Sequence, residues 1–209
     1  MIHTNYIFHS KFVVQKNCYY LCSLKYCRIM DNNKILSFEY LIYCLIEWYK
    51  EKAHDNEYLN KHFSRLTALK LLFFVSSIKD TENDNQDLLY IFNNFYAMQY
   101  GPVESDIYTA IVNEKTKLYK FGVHELIINS QDNSIFNSLN SQYKNNIDRA
   151  IMLLKNRNPK IISYPASLLI DISHKWDAWQ NAMSIASMLG KRCEKMPIVS
   201  IRENRQFYE

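Results

Sequence analysis

The chain has 209 residues, of which 48% are hydrophobic and 22% charged, a composition that fits one folded domain and excludes a disordered tail or a membrane-embedded protein. Its three glycines, Gly101, Gly122 and Gly190, are too widely spaced for the glycine-rich loops that bind dinucleotides or nucleoside triphosphates. The net charge of +4 arises in residues 1–29, which contain four basic residues and no Asp or Glu. The rest of the chain is neutral overall, which disfavours nucleic acid as its main partner.

Residues 1–29 also differ from the rest in holding three of the five cysteines, and Met30 follows them directly. We expect them to lie outside the domain, as an extension or as sequence upstream of the true start. Their apolar residues are interrupted by polar ones, so the pattern does not indicate a signal peptide. A weak zinc pattern is present, formed by Cys18, Cys22 and Cys27 with His3 or His9. Because the spacing is not a repeated Cys-x2-Cys, we predict no metal and no cofactor.

The first part of the domain is predicted to be helical. Apolar residues recur at helical spacing over residues 37–52, with Ser37 as the capping residue. A second helix is predicted from about Ser64 to Ser77, apolar on nearly every side and therefore central in the core. Residues 79–87 read as an acidic loop. Residues 88–100 fit either an extended segment or an irregular helix, and periodicity does not decide between them.

Gly101 and Pro102 interrupt the chain, and Pro102 fits the first turn of a helix because its fixed φ suits that position. The pattern predicts a helix from there to about Lys120, with Gly122 as its stop. The polar residues 129–146 indicate a long loop with at most one helical turn.

The C-terminal part is also predicted to be helical. Helices are predicted at about 147–157 and 165–173, and residues 174–179 lead into another that ends at about Leu189. Residues 200–208 are a candidate for a last helix. Together these elements predict a mainly α, compact single domain over residues 30–209, with six or seven helices and little or no strand. Cys44 and Cys193 occur singly, as reduced thiols of a cytoplasmic protein do.

Three segments together resemble a known family. Residues 69–74 (LKLLFF) resemble its L-x-K-L-L-Y-F helix, and residues 95–108 (FYAMQYGPVESDIY) resemble its A-W-x-Y-G-P-V-x-x-x-x-Y element. Ser173, His174 and Trp179 resemble its S-H-x3-4-P-W element. All three occur in this order in the Panacea domain family, the SocA-like or phage-associated GepA-type domain. Two positions depart from the family pattern, since Met98 and Ala178 stand where the family usually has Trp and Pro.

The resemblance implies an antitoxin of a toxin–antitoxin pair, bound to a toxin protein encoded beside it. It also implies a possible role as an adaptor that delivers the toxin to a AAA+ protease. We expect no enzymatic activity, because the chain has neither a cofactor loop nor a nucleophile motif. Partner binding is expected around the turn at residues 100–103, which we call the Tyr100–Val103 elbow, and around the helix that follows His174. The expected contact residues are Tyr100, Gly101, Pro102, Val103, Tyr108, His174 and Trp179.

Each of these features also has a structural interpretation. The Tyr100–Val103 elbow either offers exposed helix N–H groups to an anionic ligand or is a rigid turn that aims a core helix. His174 is interpreted as a residue that caps or hydrogen-bonds backbone rather than as an acid–base group. For Lys70, a side chain that extends to solvent or pairs with a carboxylate is favoured over a buried charge that serves a partner.

One alternative belongs to another functional class. The helices predicted at 147–157 and 165–173 resemble a helix-turn-helix, which would make the protein a DNA-binding autoregulator of a mobile-element operon. The second of them contains Asp171 and no Lys or Arg before Lys175, so few phosphate contacts are expected.

Overall fold

The computed structural model describes residues 32–52, 58–79 and 88–209. The expectations for residues 1–29, including the zinc pattern, lie outside the described residues, as does nearly all of the acidic loop at 79–87. In the described part, no group of three or more His, Cys, Asp or Glu is placed to hold a metal ion. No helix among the described residues is both long enough and apolar enough to cross a bilayer.

The described part of the chain is mainly α, as predicted. Its α-helices are α1 (Asn32–Lys52), α2 (Leu59–His62), α3 (Arg65–Ser77), α4 (Ser105–Val112), α5 (Ser141–Arg157), α6 (Ala166–His174), α7 (Asp177–Met188) and α8 (Ile198–Glu203). Short 3-10 helices lie at Leu88–Tyr90, Asn133–Ser138 and Ile161–Ser163.

Strands are more prominent than predicted. They are β1 (Phe95–Met98), β2 (Gly101–Glu104), β3 (Tyr119–Phe121), β4 (Leu126–Ile128) and β5 (Glu194–Lys195). One antiparallel sheet has the order β2-β1-β5, and the other pairs β3 with β4. Strand content is thus low, as predicted, but strands are not absent, and short strands joined by tight turns leave little periodic signal in the sequence.

Helix α3 is the centre of the core, as its uniformly apolar sequence predicted. Every residue from Thr67 to Ser77 is buried, and Ser64 caps the helix by accepting a hydrogen bond from the Thr67 N–H. Helices α1, α5 and α6 and strand β2 pack around it. This central position makes α3 the scaffold on which the neighbouring β-hairpin rests.

Helix α1 begins five residues before the predicted start. Ser37 is buried inside the helix and does not cap it. The apolar spacing that begins at Phe38 continues backward to Ile35, which is also buried. The prediction placed the start at Ser37 because this residue type favours helix starts, but the polar residues Asn32 and Asn33 begin the helix instead.

The helix predicted from Gly101 and Pro102 to about Lys120 is wrong over much of its length, whereas Phe95–Met98 adopts the extended alternative left open for residues 88–100. Strands β1 and β2 form a hairpin in which Met98 pairs with Gly101 across a turn of Gln99 and Tyr100. Pro102 therefore lies in a strand and not in the first turn of a helix. Because β2 is an edge strand, the missing N–H of Pro102 is tolerated there.

Helix α4 occupies only Ser105–Val112, and Gly122 is not its stop. The N–H of Gly122 donates to the Glu125 carbonyl in the turn between β3 and β4. The buried Glu39 of α1 accepts hydrogen bonds from the N–H groups of Lys117 and Leu118 and so fixes the segment before β3. A contact between residues so far apart in sequence is invisible to local pattern analysis.

The C-terminal helices were predicted with moderate boundary errors. Helix α5 begins at Ser141, within the predicted loop, where Asn140 caps it by accepting a hydrogen bond from the Gln142 N–H. Helices α6 and α7 occupy nearly the predicted ranges. Helix α8 ends at Glu203, well before the predicted 208.

Candidate functional site

The candidate site is formed by the β1–β2 hairpin, which packs against helix α3. The Lys70 side chain of α3 is fully buried, and its Nζ donates a hydrogen bond to the Pro102 carbonyl at 2.7 Å. Both favoured interpretations of Lys70 are wrong, because the amine neither reaches solvent nor pairs with a carboxylate among the described residues. Burial lowers the pKa of Lys70 to about 7.

Gly101 lies where α3, α6 and the hairpin meet. It adopts φ +91°, which residues with a side chain rarely adopt. A Cβ at this position would clash with the Ser173 hydroxyl of α6 and would lie 3.0 Å from Lys70 Nζ. Gly101 therefore allows the hairpin to sit directly on the buried polar groups of two helices.

The other side of the hairpin is held by α7. Trp179 Nε1 donates a hydrogen bond to the Met98 carbonyl at 3.0 Å, immediately before the turn. His174 stacks on the indole of Trp179, with ring centroids 3.9 Å apart and planes inclined by 14°. Two side-chain hydrogen bonds thus hold the turn in place. One runs from Lys70 to β2 and the other from Trp179 to β1.

His174 forms a hydrogen bond with the backbone of Gln99, as its favoured interpretation predicts, and packs on Trp179. Its Nε2 is buried and has no hydrogen-bond partner in the described part of the chain. Burial lowers the pKa of His174 below its usual value, and the nearby charge of Lys70 lowers it further. The imidazole is therefore mostly neutral near pH 7. It stacks on the Trp179 indole in this form.

No helix-start N–H groups are presented at the elbow, contrary to one of the two interpretations. The fully buried Glu104 occupies the start of α4, where its carboxylate accepts from the N–H groups of Asn94 and Ile107. The same carboxylate forms an ion pair of 2.6 Å with Lys34 of α1. Burial raises the pKa of Glu104, while Lys34 and the Ile107 N–H act to lower it. A buried carboxylate of the chain itself thus occupies the start of α4, which disfavours an external anion there.

Most of the predicted contact residues come together at this site. Gly101, Pro102, Val103, His174 and Trp179 all lie in or against the hairpin, but the first three are buried and His174 and Trp179 are half-buried. Tyr100 at the turn is 48% exposed. Tyr108 lies apart on α4, where it packs against the core. Tyr100 is thus the one of these seven residues that is exposed.

The site contains polar groups that the sequence analysis did not assign to it. Lys70 and Ser173 are both fully buried, and the Ser173 hydroxyl donates to the Ile170 carbonyl at 2.8 Å. Neither group is accessible to a substrate, and both are used in hydrogen bonds within the fold. The sequence signal for such a buried hydrogen-bond donor is a polar residue inside an otherwise apolar segment. Lys70 within residues 69–74 is an example.

We expect the free energy of unfolding to rise with pH between about 7 and 8.5, by up to about 1.4 kcal/mol per pH unit. In the folded chain Lys70 releases its proton near pH 7, whereas in the unfolded chain it keeps that proton up to its ordinary value of 10.5. Unfolding therefore takes up a proton, and raising the pH favours the folded state. Chemical denaturation at several pH values measures this slope.

The matched control is Lys70→Met, which keeps the length of the side chain and removes the titrating amine. Measurements stay below pH 9, because Cys44 contributes above it. Burial raises the pKa of the Cys44 thiol from 9.0 to about 12, so between these values the thiol ionises in the unfolded chain only, and the free energy of unfolding falls as the pH rises. An identical pH dependence in the wild type and in Lys70→Met would contradict the assignment of this proton to Lys70.

The chain was also compared with known proteins. No protein-family model matches it, and neither the curated proteins nor the solved structures contain a match.

Proposed function

We propose that the protein is an antitoxin that neutralises a toxin protein from its own operon by direct binding. The observation that carries this proposal is the convergence of three motif segments. Residues 69–74, 95–108 and 173–179 are far apart in sequence but meet around one β-hairpin, through Lys70 with Pro102 and Trp179 with Met98. These are the segments in which the chain resembles the Panacea domain family. Their contacts explain why the motifs occur together, since each fixes part of the same structure.

The arrangement favours recognition of a partner over catalysis. Its polar groups are used inside the fold, whereas its turn presents Tyr100 to solvent. A tyrosine on a rigid turn contributes a large amphipathic contact surface and loses little conformational entropy on binding. The toxin is therefore expected to contact the turn and the exposed parts of α7 beside it.

The DNA-binding alternative is less well supported. Residues 158–165 separate α5 from α6, whereas the helices of a helix-turn-helix are joined by about three or four residues. The exposed residues of α6 include Leu168 and Asp171 and no Lys or Arg. Such a surface offers few contacts to phosphate.

The test is to express the neighbouring gene from an inducible promoter, with and without this protein. We expect the neighbour to arrest growth alone and the wild-type protein to restore it. Tyr100→Ala is expected to weaken the rescue, because it removes the exposed contact at the turn without disturbing the core. Tyr58→Ala is the matched control, since Tyr58 is exposed to a similar extent, 56% against 48% for Tyr100, and precedes α2.

Two measurements separate the possible outcomes. Purified protein and neighbour are mixed at micromolar concentrations to detect a complex, and a gel shift on the upstream promoter tests the autoregulator. A harmless neighbour or the absence of a complex would overturn the antitoxin proposal. Disappearance of the toxin only in cells with an active AAA+ protease would identify the adaptor mechanism, whereas a stable toxin in the complex would identify simple sequestration.

A further inference from the structure

Residues 204–209, which we call the strap, form neither a helix nor a strand, yet they are fixed to the core of the domain. Tyr208 is buried, and its ring lies edge to face against Trp176, with centroids 5.3 Å apart. The Tyr208 hydroxyl donates a hydrogen bond to the Ser77 carbonyl at the end of α3, at 3.0 Å. The Asn158 side chain donates one to the Tyr208 carbonyl at 2.6 Å. Tyr208 thus anchors the strap at both its side chain and its main chain.

The strap also binds the junction of α6 and α7, which we call the α6–α7 corner and define as residues 173–179. The two helices are joined by Lys175 and Trp176. Lys175 Nζ donates a hydrogen bond to the main-chain oxygen of Glu209 at 2.9 Å, and Trp176 Nε1 donates one to the Phe207 carbonyl. The two residues that join the helices therefore both hold the main chain of the strap.

The β1–β2 hairpin binds the same corner through the residues on either side of these two. His174 forms a hydrogen bond with the backbone of Gln99, and Trp179 Nε1 donates one to the Met98 carbonyl at 3.0 Å. The strap and the hairpin thus contact neighbouring residues of one short segment.

Hydrogen bonds within the corner join these residues to one another. The Trp176 N–H donates to the Ser173 carbonyl, and the Trp176 carbonyl accepts from the Trp179 N–H at 3.0 Å. The Gln180 side chain donates to the His174 carbonyl at 2.9 Å. Because one hydrogen-bonded turn of main chain connects Trp176 to Trp179, a displacement of Trp176 also displaces Trp179 and the hairpin that it holds.

We propose that the strap positions the Tyr100–Val103 elbow through the α6–α7 corner, so that residues outside the contact surface help to set the affinity for the partner. Lys175, Trp176 and Tyr208 are the positioning residues. The consequence for partner binding rests on the antitoxin function proposed above. The coupling between the strap and the elbow is a property of the free protein and is measured there.

The three tryptophans of the chain provide this measurement, because each indole N–H gives its own signal in a proton–nitrogen correlation NMR spectrum. Trp176 reports on the strap, Trp179 reports on the elbow, and Trp48, which is fully buried in α1, is the internal reference. Lys175→Met removes one hydrogen bond to the strap from an exposed position and keeps the length of the side chain. We expect it to shift the Trp179 indole signal and the Tyr100 amide signal while the Trp48 signal stays in place.

A second strap variant and two controls complete the set. Tyr208→Leu removes the ring that packs on the corner and the hydroxyl that binds α3. Lys120→Met is the control for Lys175→Met, because Lys120 is an exposed lysine of β3 that pairs with Glu114 at 2.7 Å. Ile147→Val is the control for a loss of stability, since it shortens a buried side chain of α5. Melting temperatures establish that the variants remain folded and rank their stabilities.

The affinity for the partner is measured on the same proteins by isothermal titration calorimetry with the purified product of the neighbouring gene. Both strap variants are expected to weaken binding by about two- to thirtyfold, the range typical of residues that modulate a distant site. Both controls are expected to bind as the wild type does.

Each outcome supports or overturns the proposal. A shift of the Trp179 signal in both strap variants and in neither control supports the coupling. Unchanged Trp179 and Tyr100 signals in the strap variants overturn it, because the strap then only stabilises the fold. The same shift in Ile147→Val also overturns it, since the shift then follows any loss of stability.

The calorimetry separates this proposal from the antitoxin function. Shifted elbow signals with wild-type affinity overturn the role of the strap in partner binding and leave the antitoxin function standing. If the neighbour does not bind the wild type, the antitoxin function fails, whereas the NMR spectra still decide whether the strap positions the elbow.

Discussion

Gly101→Ala is expected to lower the free energy of unfolding by about 3 kcal/mol or more. Two costs combine at this position. The backbone has φ +91°, which disfavours any residue with a Cβ, and the added Cβ would clash with the buried Ser173 hydroxyl and press on Lys70 Nζ. Urea denaturation of the variant and of the wild type measures the difference.

Gly190→Ala separates these two costs. Gly190 also has a positive φ, of +64°, but a Cβ there meets no atom within 4 Å. Its replacement is expected to cost only the backbone strain, about 1–2 kcal/mol. Equal destabilisation by the two substitutions would contradict the close packing of the hairpin on α3 and α6.

The second large effect is expected at Glu104. Glu104→Ala leaves the Lys34 ammonium, which is nearly buried, without its carboxylate at 2.6 Å and removes the acceptor of two backbone N–H groups. Breaking a buried ion pair on one side typically costs about 3–5 kcal/mol. Asp106, which also contacts Lys34, compensates for part of the loss. Denaturation of the variant by urea is the measurement.

Glu47→Ala is the corresponding surface control. Glu47 also pairs with a lysine, Lys50, at 2.7 Å, but both side chains are more than 40% exposed. Removal of such a pair is expected to cost less than about 1 kcal/mol. If the two glutamate substitutions have similar effects, the burial of the Lys34–Glu104 pair does not stabilise the fold as described.

Elements determined by local sequence were predicted well. Helix α3 was predicted within one residue, because Ser64 is a good capping residue and the segment after it is apolar on all sides. The end of helix α7, expected at about Leu189, was predicted within one residue. The grouping of residues 69–74, 95–108 and 173–179 followed from the family resemblance and not from periodicity.

Elements determined by distant contacts were predicted poorly. The signals at Gly101 and Pro102 fit a helix start, but the strand β1 that pairs with this segment, and the Lys70 side chain beneath it, make it a strand. The site was predicted in part, because Tyr100 and Trp179 were named whereas the buried Lys70 beneath the hairpin was not. Its hydrogen bond to Pro102 joins residues 32 positions apart, which local sequence patterns do not reveal.

The two anchors of the β1–β2 turn share one property, which is that both bind main-chain carbonyl oxygens. Lys70 binds the carbonyl of Pro102, and Trp179 binds that of Met98. Every amino acid supplies such an oxygen, so a different side chain at 98 does not remove the anchor, and the departure at Met98 from the family pattern leaves it intact. Neither hydrogen bond uses the side chain of Gln99 or Tyr100, so substitutions of these side chains leave both anchors in place. The fold thus separates the residues that hold the turn from those that form its exposed tip, and the tip can change in chemistry at little cost in stability.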